Sequence, residues 1–233
     1  MRIFNSYLIS QFQLDILLNS MNCNSIYGIE RKYDKDNVDR AMVYVEINKM
    51  ISAGLISVNN GRFNISENIK SCLQHMAESD NVVHIYVGPD GTEDYLCYMN
   101  KAVVDIVSYS NVRDKVSVTE MSRDEFKSIF LPDILPDVLN RKMKHRYEHT
   151  DLNRENELIE LCKAGVPDYR IKIICELISV KTGERRYLYG FNCNDMSDCT
   201  DSYIVKFNGN VREDVEHDYD REELIMYISD YKR

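Results

Sequence analysis

Apolar positions along this chain recur first at helical and then at strand spacing, and the change of period divides it into blocks. Ser10 followed by Gln13 is a capping-box pattern, and Leu14, Leu17, Leu18 and Met21 then fall on a single stripe, so a helix is predicted from Ser10. A second helix is predicted over 36–53, with Val43, Ile47, Met50 and Ile51 on one side and Val38, Met42 and Val45 on another. Apolar residues on two sides predict a helix buried between layers, a piece of core. Gly54 stops it, and Asn60-Gly61 turns a short hairpin behind it. A third helix over 66–78 takes Ser66 as its cap and Ile69, Leu73 and Met76 as its buried stripe.

The period then falls to two. Strands are predicted over 82–87, 95–99, 102–109 and 115–119, with Gly88-Pro89-Asp90-Gly91 as the first turn of a meander. Ser122 and Glu125 form another capping box, opening a helix through Phe126, Ile129 and Phe130 that Pro132 and Pro136 break or redirect. Residues 140–157 are dense in charge and read as a connector or an exposed helix, and Leu158, Ile159, Leu161 and Cys162 close a helix near Gly165. Strands resume over 170–180, 186–191 and 203–207, the first pair turning at Lys181-Thr182-Gly183, and a last helix from Asp220 buries Leu224, Ile225 and Ile228.

The same order of elements thus occurs twice. The expected fold is α+β with a pseudo-twofold layout, a mostly antiparallel central sheet flanked by helices. One domain over 1–233 is expected, made of two similar halves at about 1–139 and 140–233.

Charge narrows the partners. With 29 Lys+Arg against 38 Asp+Glu the net charge is −9, a field that repels a phosphate backbone, so no nucleic acid is expected. A competing reading takes residues 36–66 as the helix and wing of a winged-helix transcription regulator with a ligand-binding C-terminal part. The helix over 36–53 carries Asp36, Asp39, Arg40, Glu46 and Lys49 for a sum of −1, where a groove reader needs a basic face. No run approaches the ~20 apolar residues of a membrane span, and Asn5, Ser6, Ser10, Gln11, Gln13 and Asp15 interrupt the N-terminal stretch. Seven cysteines without framework spacing read as thiols of a reducing cytoplasm.

Motifs that carry chemistry are sparse. His145 and His149 are spaced i, i+4 like half of a metal site but sit among Arg141, Lys142, Lys144 and Arg146. Cys193 and Cys199 bracket Asp195 and Asp198, with Asp201 just beyond, without zinc-knuckle or EF-hand spacing, which favours a solvated loop. No Gly-x-Ser-x-Gly elbow, P-loop or dinucleotide fingerprint is present. The expectation is therefore no enzyme, no catalytic residue, no metal and no cofactor. Sixteen tyrosines with no tryptophan point to contact surfaces, with Tyr86, Tyr95, Tyr98 and Tyr109 in one set of strands and Tyr187, Tyr189 and Tyr203 in the other.

The order of motifs resembles the EspG family of chaperones that serve type VII (ESX) secretion. A strand over 4–9 leads into Ser10 and Phe12-Gln13-Leu14-Asp15-Ile16-Leu17-Leu18. Met50-Ile51-Ser52-Ala53-Gly54-Leu55-Ile56 is similar to the family's Leu-x-x-Gly-Leu-like helix stop, and Ile129-Phe130-Leu131-Pro132 to its Leu-Pro helix end. The family's late strand often carries a Trp and a Gly-Arg-Tyr element; this chain has Glu184-Arg185-Arg186-Tyr187 there and no Trp. The resemblance implies a cytoplasmic, non-catalytic chaperone or adaptor that binds a helical secreted protein or protein pair, keeps it soluble and delivers it for export, without membrane insertion. It assigns no contact residue.

Overall fold

A computed structural model describes residues 5–23, 25–29, 39–87, 93–109, 114–135, 171–194, 200–208, 211–216 and 221–231. The chain divides into two compact units, the first Met1–Asp80 with Leu96–Met121 and the second Asn81–Tyr95 with Ser122–Arg233. The class is α+β, and every ladder with a described register is antiparallel.

In the first unit β1 (Asn5–Ser10) pairs with β7 (Lys115–Ser122), followed in order by β6 (Val103–Tyr109) and β5 (Glu93–Met99), whose first three residues belong to the second unit. α1 (Gln11–Ser20) starts where the sequence places it: the Ser10 hydroxyl accepts from the Gln13 N–H at 3.1 Å, and Gln13 Oε1 accepts from the Ser10 N–H at 3.0 Å. Leu14, Leu17 and Leu18 are buried beneath it. α2 (Arg40–Ser52) is capped by Asp39, whose carboxylate accepts from the Ala41 N–H at 2.9 Å, and it stops at Gly54, where φ is +71°. β2 (Ile56–Asn59) and β3 (Arg62–Ile65) turn on Asn60 and Gly61, both at positive φ as a two-residue hairpin loop requires. α3 (Glu67–Glu78) buries Ile69, Cys72, Leu73 and Met76. Ser66 stands at its N-cap position but makes no side-chain cap bond, so Ser66 marks the boundary without closing it.

The second unit orders its strands β4 (Asn81–Val87), β8 (Ile171–Ser179), β9 (Arg185–Asn194), β10 (Thr200–Asn208) and β11 (Val211–Glu216). β8 and β9 turn tightly, with Gly183 N–H donating to Ser179 O at 2.8 Å and Ser179 N–H to Glu184 O at 2.9 Å. The Ser122–Glu125 capping box forms and opens α4 (Arg123–Glu125). The helix then widens to a π segment, Phe126–Phe130, in which Leu131 N–H reaches back to Phe126 O, before α5 (Leu131–Ile134). Pro132 lies in the first turn of α5, where its missing N–H is least costly. Phe126 is fully buried and stacks on Phe130 with centroids 5.6 Å apart. α6 (Arg221–Ser229) buries Leu224, Ile225 and Ile228 as its pattern predicts.

One expectation is overturned. The helix predicted over 36–53 is described from Arg40, and it is not a piece of core: of its residues only Met50 is buried. Val43, Ile47 and Met50 lie on the docked side, the first two half-buried, whereas Met42, Tyr44, Val45 and Ile51 stay exposed. Among the described residues, no helix is long and apolar enough to cross a membrane.

Candidate functional site

The first unit presents an exposed apolar helix with a hairpin behind it. On α2 Tyr44 is 64% exposed, Met42 53% and Val45 52%; on β2 and β3 Val58 is 48% and Phe63 55% exposed. Tyr44 and Ile51 are two turns apart and share one helix face, whereas Met42 and Val45 share another. The helix is anchored by Met50 and by Gln13 Nε2, which donates to Glu46 Oε2 at 2.9 Å. Lys49 Nζ is held by Glu46 Oε1 at 2.6 Å, which removes one of the few cations from this surface. Aromatic and aliphatic side chains about half or more exposed gather on one helix and its hairpin, and such surfaces mark protein contacts.

A buried polar cluster lies elsewhere in the same unit. Asp105, from β6, is 0% exposed in the run Val103-Val104-Asp105-Ile106-Val107. His75 projects from α3 with its Nδ1 at 3.9 Å from Asp105 Oδ2 and 3.3 Å from Glu120 Oε2 of β7. Burial raises the Asp105 carboxyl to about 6, against weaker opposing effects of the Cys72 thiol, the His75 imidazole and the Asn100 amide. Burial likewise pushes the Cys72 thiol far up, so it remains protonated and unreactive. Asn100 Nδ2 donates to His75 O at 3.1 Å and so ties the last turn of α3 to the end of β5.

In the second unit His84 bonds Asp94 through Nε2, while its Nδ1 lies 3.9 Å from Glu176, the residue opposite it on β8. Arg185 Nη1 holds Glu176 Oε1 at 2.8 Å. This chain of imidazole, carboxylates and guanidinium links facing strand residues.

Several sequence candidates lie outside the described residues: His145 and His149, the stretch 195–199 that includes Asp195, Asp198 and Cys199, and the side chains of Cys193, Asp201, Tyr187, Tyr189 and Tyr203. Of the other tyrosines, Tyr98 is buried and donates to Tyr27 O at 2.6 Å, and Tyr109 donates to Gly28 O at 3.2 Å. Both pin the segment 25–29, so their polar tips brace the fold. Among the described tyrosines Tyr44, on the helix predicted to be core, is far more exposed than Tyr109. Sequence reasoning also passed over His75, Asp105 and Glu120; the available signal was an aspartate inside an otherwise apolar strand. No protein-family model matches the chain, and no curated protein matches it.

Proposed function

We propose that this chain is a non-catalytic protein-binding adaptor whose α2 and β2–β3 hairpin receive an apolar helix of a partner protein. The observation that carries this reading is the exposure of Met42, Tyr44, Val45 and Phe63 on one helix–hairpin unit. A partner helix laid along Val45, with Met42 on one flank and Tyr44 on the other, removes part of this apolar surface from water at ~25 cal/mol per Å2. The resemblance to EspG chaperones supplies the class of partner, a helical type VII secretion substrate held soluble in the cytoplasm, and with it the pseudo-twofold layout of the fold. An adaptor of this kind needs no cofactor.

The helix-then-hairpin order also supports a second reading, a winged helix that reads DNA. The exposed apolar residues Met42, Tyr44, Val45 and Phe63 count against it, as does the net charge of −9.

Co-purification of the tagged full chain from its native cell tests the proposal, with Tyr44→Glu/Phe63→Glu as the matched variant. A stoichiometric helical partner recovered with the wild type and lost with the variant is the expected result. Equal recovery by both chains, or no partner with either, refutes it, and a salt-dependent shift of duplex DNA at physiological ionic strength would favour the winged-helix reading.

A further inference from the structure

A buried carboxylate is costly unless a charge or hydrogen bonds compensate it. Asp105 is poorly compensated: the Cys72 thiol and the Asn100 amide stabilise it only weakly against its burial, and neither of its oxygens has a hydrogen bond of good geometry. Its charged neighbours compound the problem, because Glu120 adds a second negative charge and His75 offers at most one positive. The same shortage extends to the other two groups, since His75 Nδ1 and Glu120 Oε2 are also buried without a hydrogen-bond partner. These donor atoms face one another: one from each of His75, Asp105 and Glu120 lie within 4.8 Å of each other.

We propose that His75, Asp105 and Glu120 bind a divalent transition-metal ion of the zinc class. One imidazole nitrogen and two carboxylate oxygens suit a borderline ion, whereas magnesium and calcium prefer oxygen throughout. Ligands each ~2.0–2.2 Å from one ion stand roughly 3–4 Å apart, and His75 Nδ1 is 3.3 Å from Glu120 Oε2 and 3.9 Å from Asp105 Oδ2. The ion neutralises both carboxylates and ties α3 to β6 and β7 inside the first unit. Three protein ligands leave a fourth coordination position for water. The role is structural: the ion compensates buried carboxylates and joins three elements, and the Cys72 thiol beside it is held protonated by burial. This inference is independent of the partner surface on α2.

The test is titration of the chelator-stripped full chain with zinc chloride by calorimetry, with cobalt(II) absorption as a second readout. Expected are one ion per chain, a rise in melting temperature on adding zinc, and binding weakened by roughly tenfold or more in both His75→Gln and Asp105→Asn. His84→Gln, at the other histidine cluster, keeps wild-type affinity. Because His75 is partly exposed, its variant folds, and that makes it decisive if Asp105→Asn does not. Absence of saturable binding to the wild type, or wild-type affinity in His75→Gln, overturns the site.

Discussion

Replacing Asp105 by Asn in the metal-free chain isolates what a buried carboxylate does to stability. Folding moves this carboxyl from its ordinary 3.8 to about 6, with burial the dominant cause. The sign follows from proton linkage: between those values the folded chain holds a proton that the unfolded chain has released, so stability falls as pH rises from about 4 and levels off above about 6. A gap of about two units at ~1.4 kcal/mol each gives a loss of about 3 kcal/mol across that window. The asparagine variant has no such proton. Cys72 and His75 of α3 and Glu120 of β7 are the titratable groups that act on Asp105, and all three are present in both chains. The assay is urea unfolding of both chains in chelator at intervals from pH 4 to 7.5. The difference in stability, variant minus wild type, should grow by about 3 kcal/mol over the interval, whatever its value at pH 4. Parallel pH profiles would refute the claim that Asp105 carries a folding-linked proton.

The docking of α2 gives opposite expectations for two of its residues: Met50→Ala, at a site 0% exposed, should cost ~2–5 kcal/mol of stability by urea unfolding. Tyr44→Ser should change it by less than ~0.5 kcal/mol. Ser122→Ala removes the hydroxyl that accepts the Glu125 N–H at 3.2 Å and should lower stability by about 1 kcal/mol in the same assay. Cys72 and Cys175, the latter pushed up to about 12 by burial, should resist iodoacetamide in the native chain and react once it is unfolded, as read by peptide mapping.

Local signals in the sequence mapped well onto local structure. Both capping boxes form, because Ser10 with Gln13 and Ser122 with Glu125 satisfy their own backbone donors within one turn. Asn60-Gly61 and Gly183 mark their turns by positive φ, which few other residues accept. Strand β11 went unread since Val211-Arg212-Glu213-Asp214-Val215-Glu216 carries almost no apolar alternation. The π segment was equally invisible, being a choice of hydrogen-bond partner that periodicity does not encode. Burial of α2 was misjudged for a different reason: apolar residues on two sides identify surface that favours leaving water, and they do not say whether this chain or another one covers it. The cluster of His75, Asp105 and Glu120 needed tertiary structure outright, as three elements far apart in sequence bring it together.

Hydrogen exchange of the α2 and hairpin amides, measured on the chain alone and with its co-purified partner, tests the adaptor reading most directly. The account predicts that residues 40–52 and 56–65 gain protection in the complex and that Tyr44→Glu weakens the complex by ~2 kcal/mol, about thirtyfold. Unchanged exchange over both segments, with protection appearing elsewhere on the chain, would contradict it.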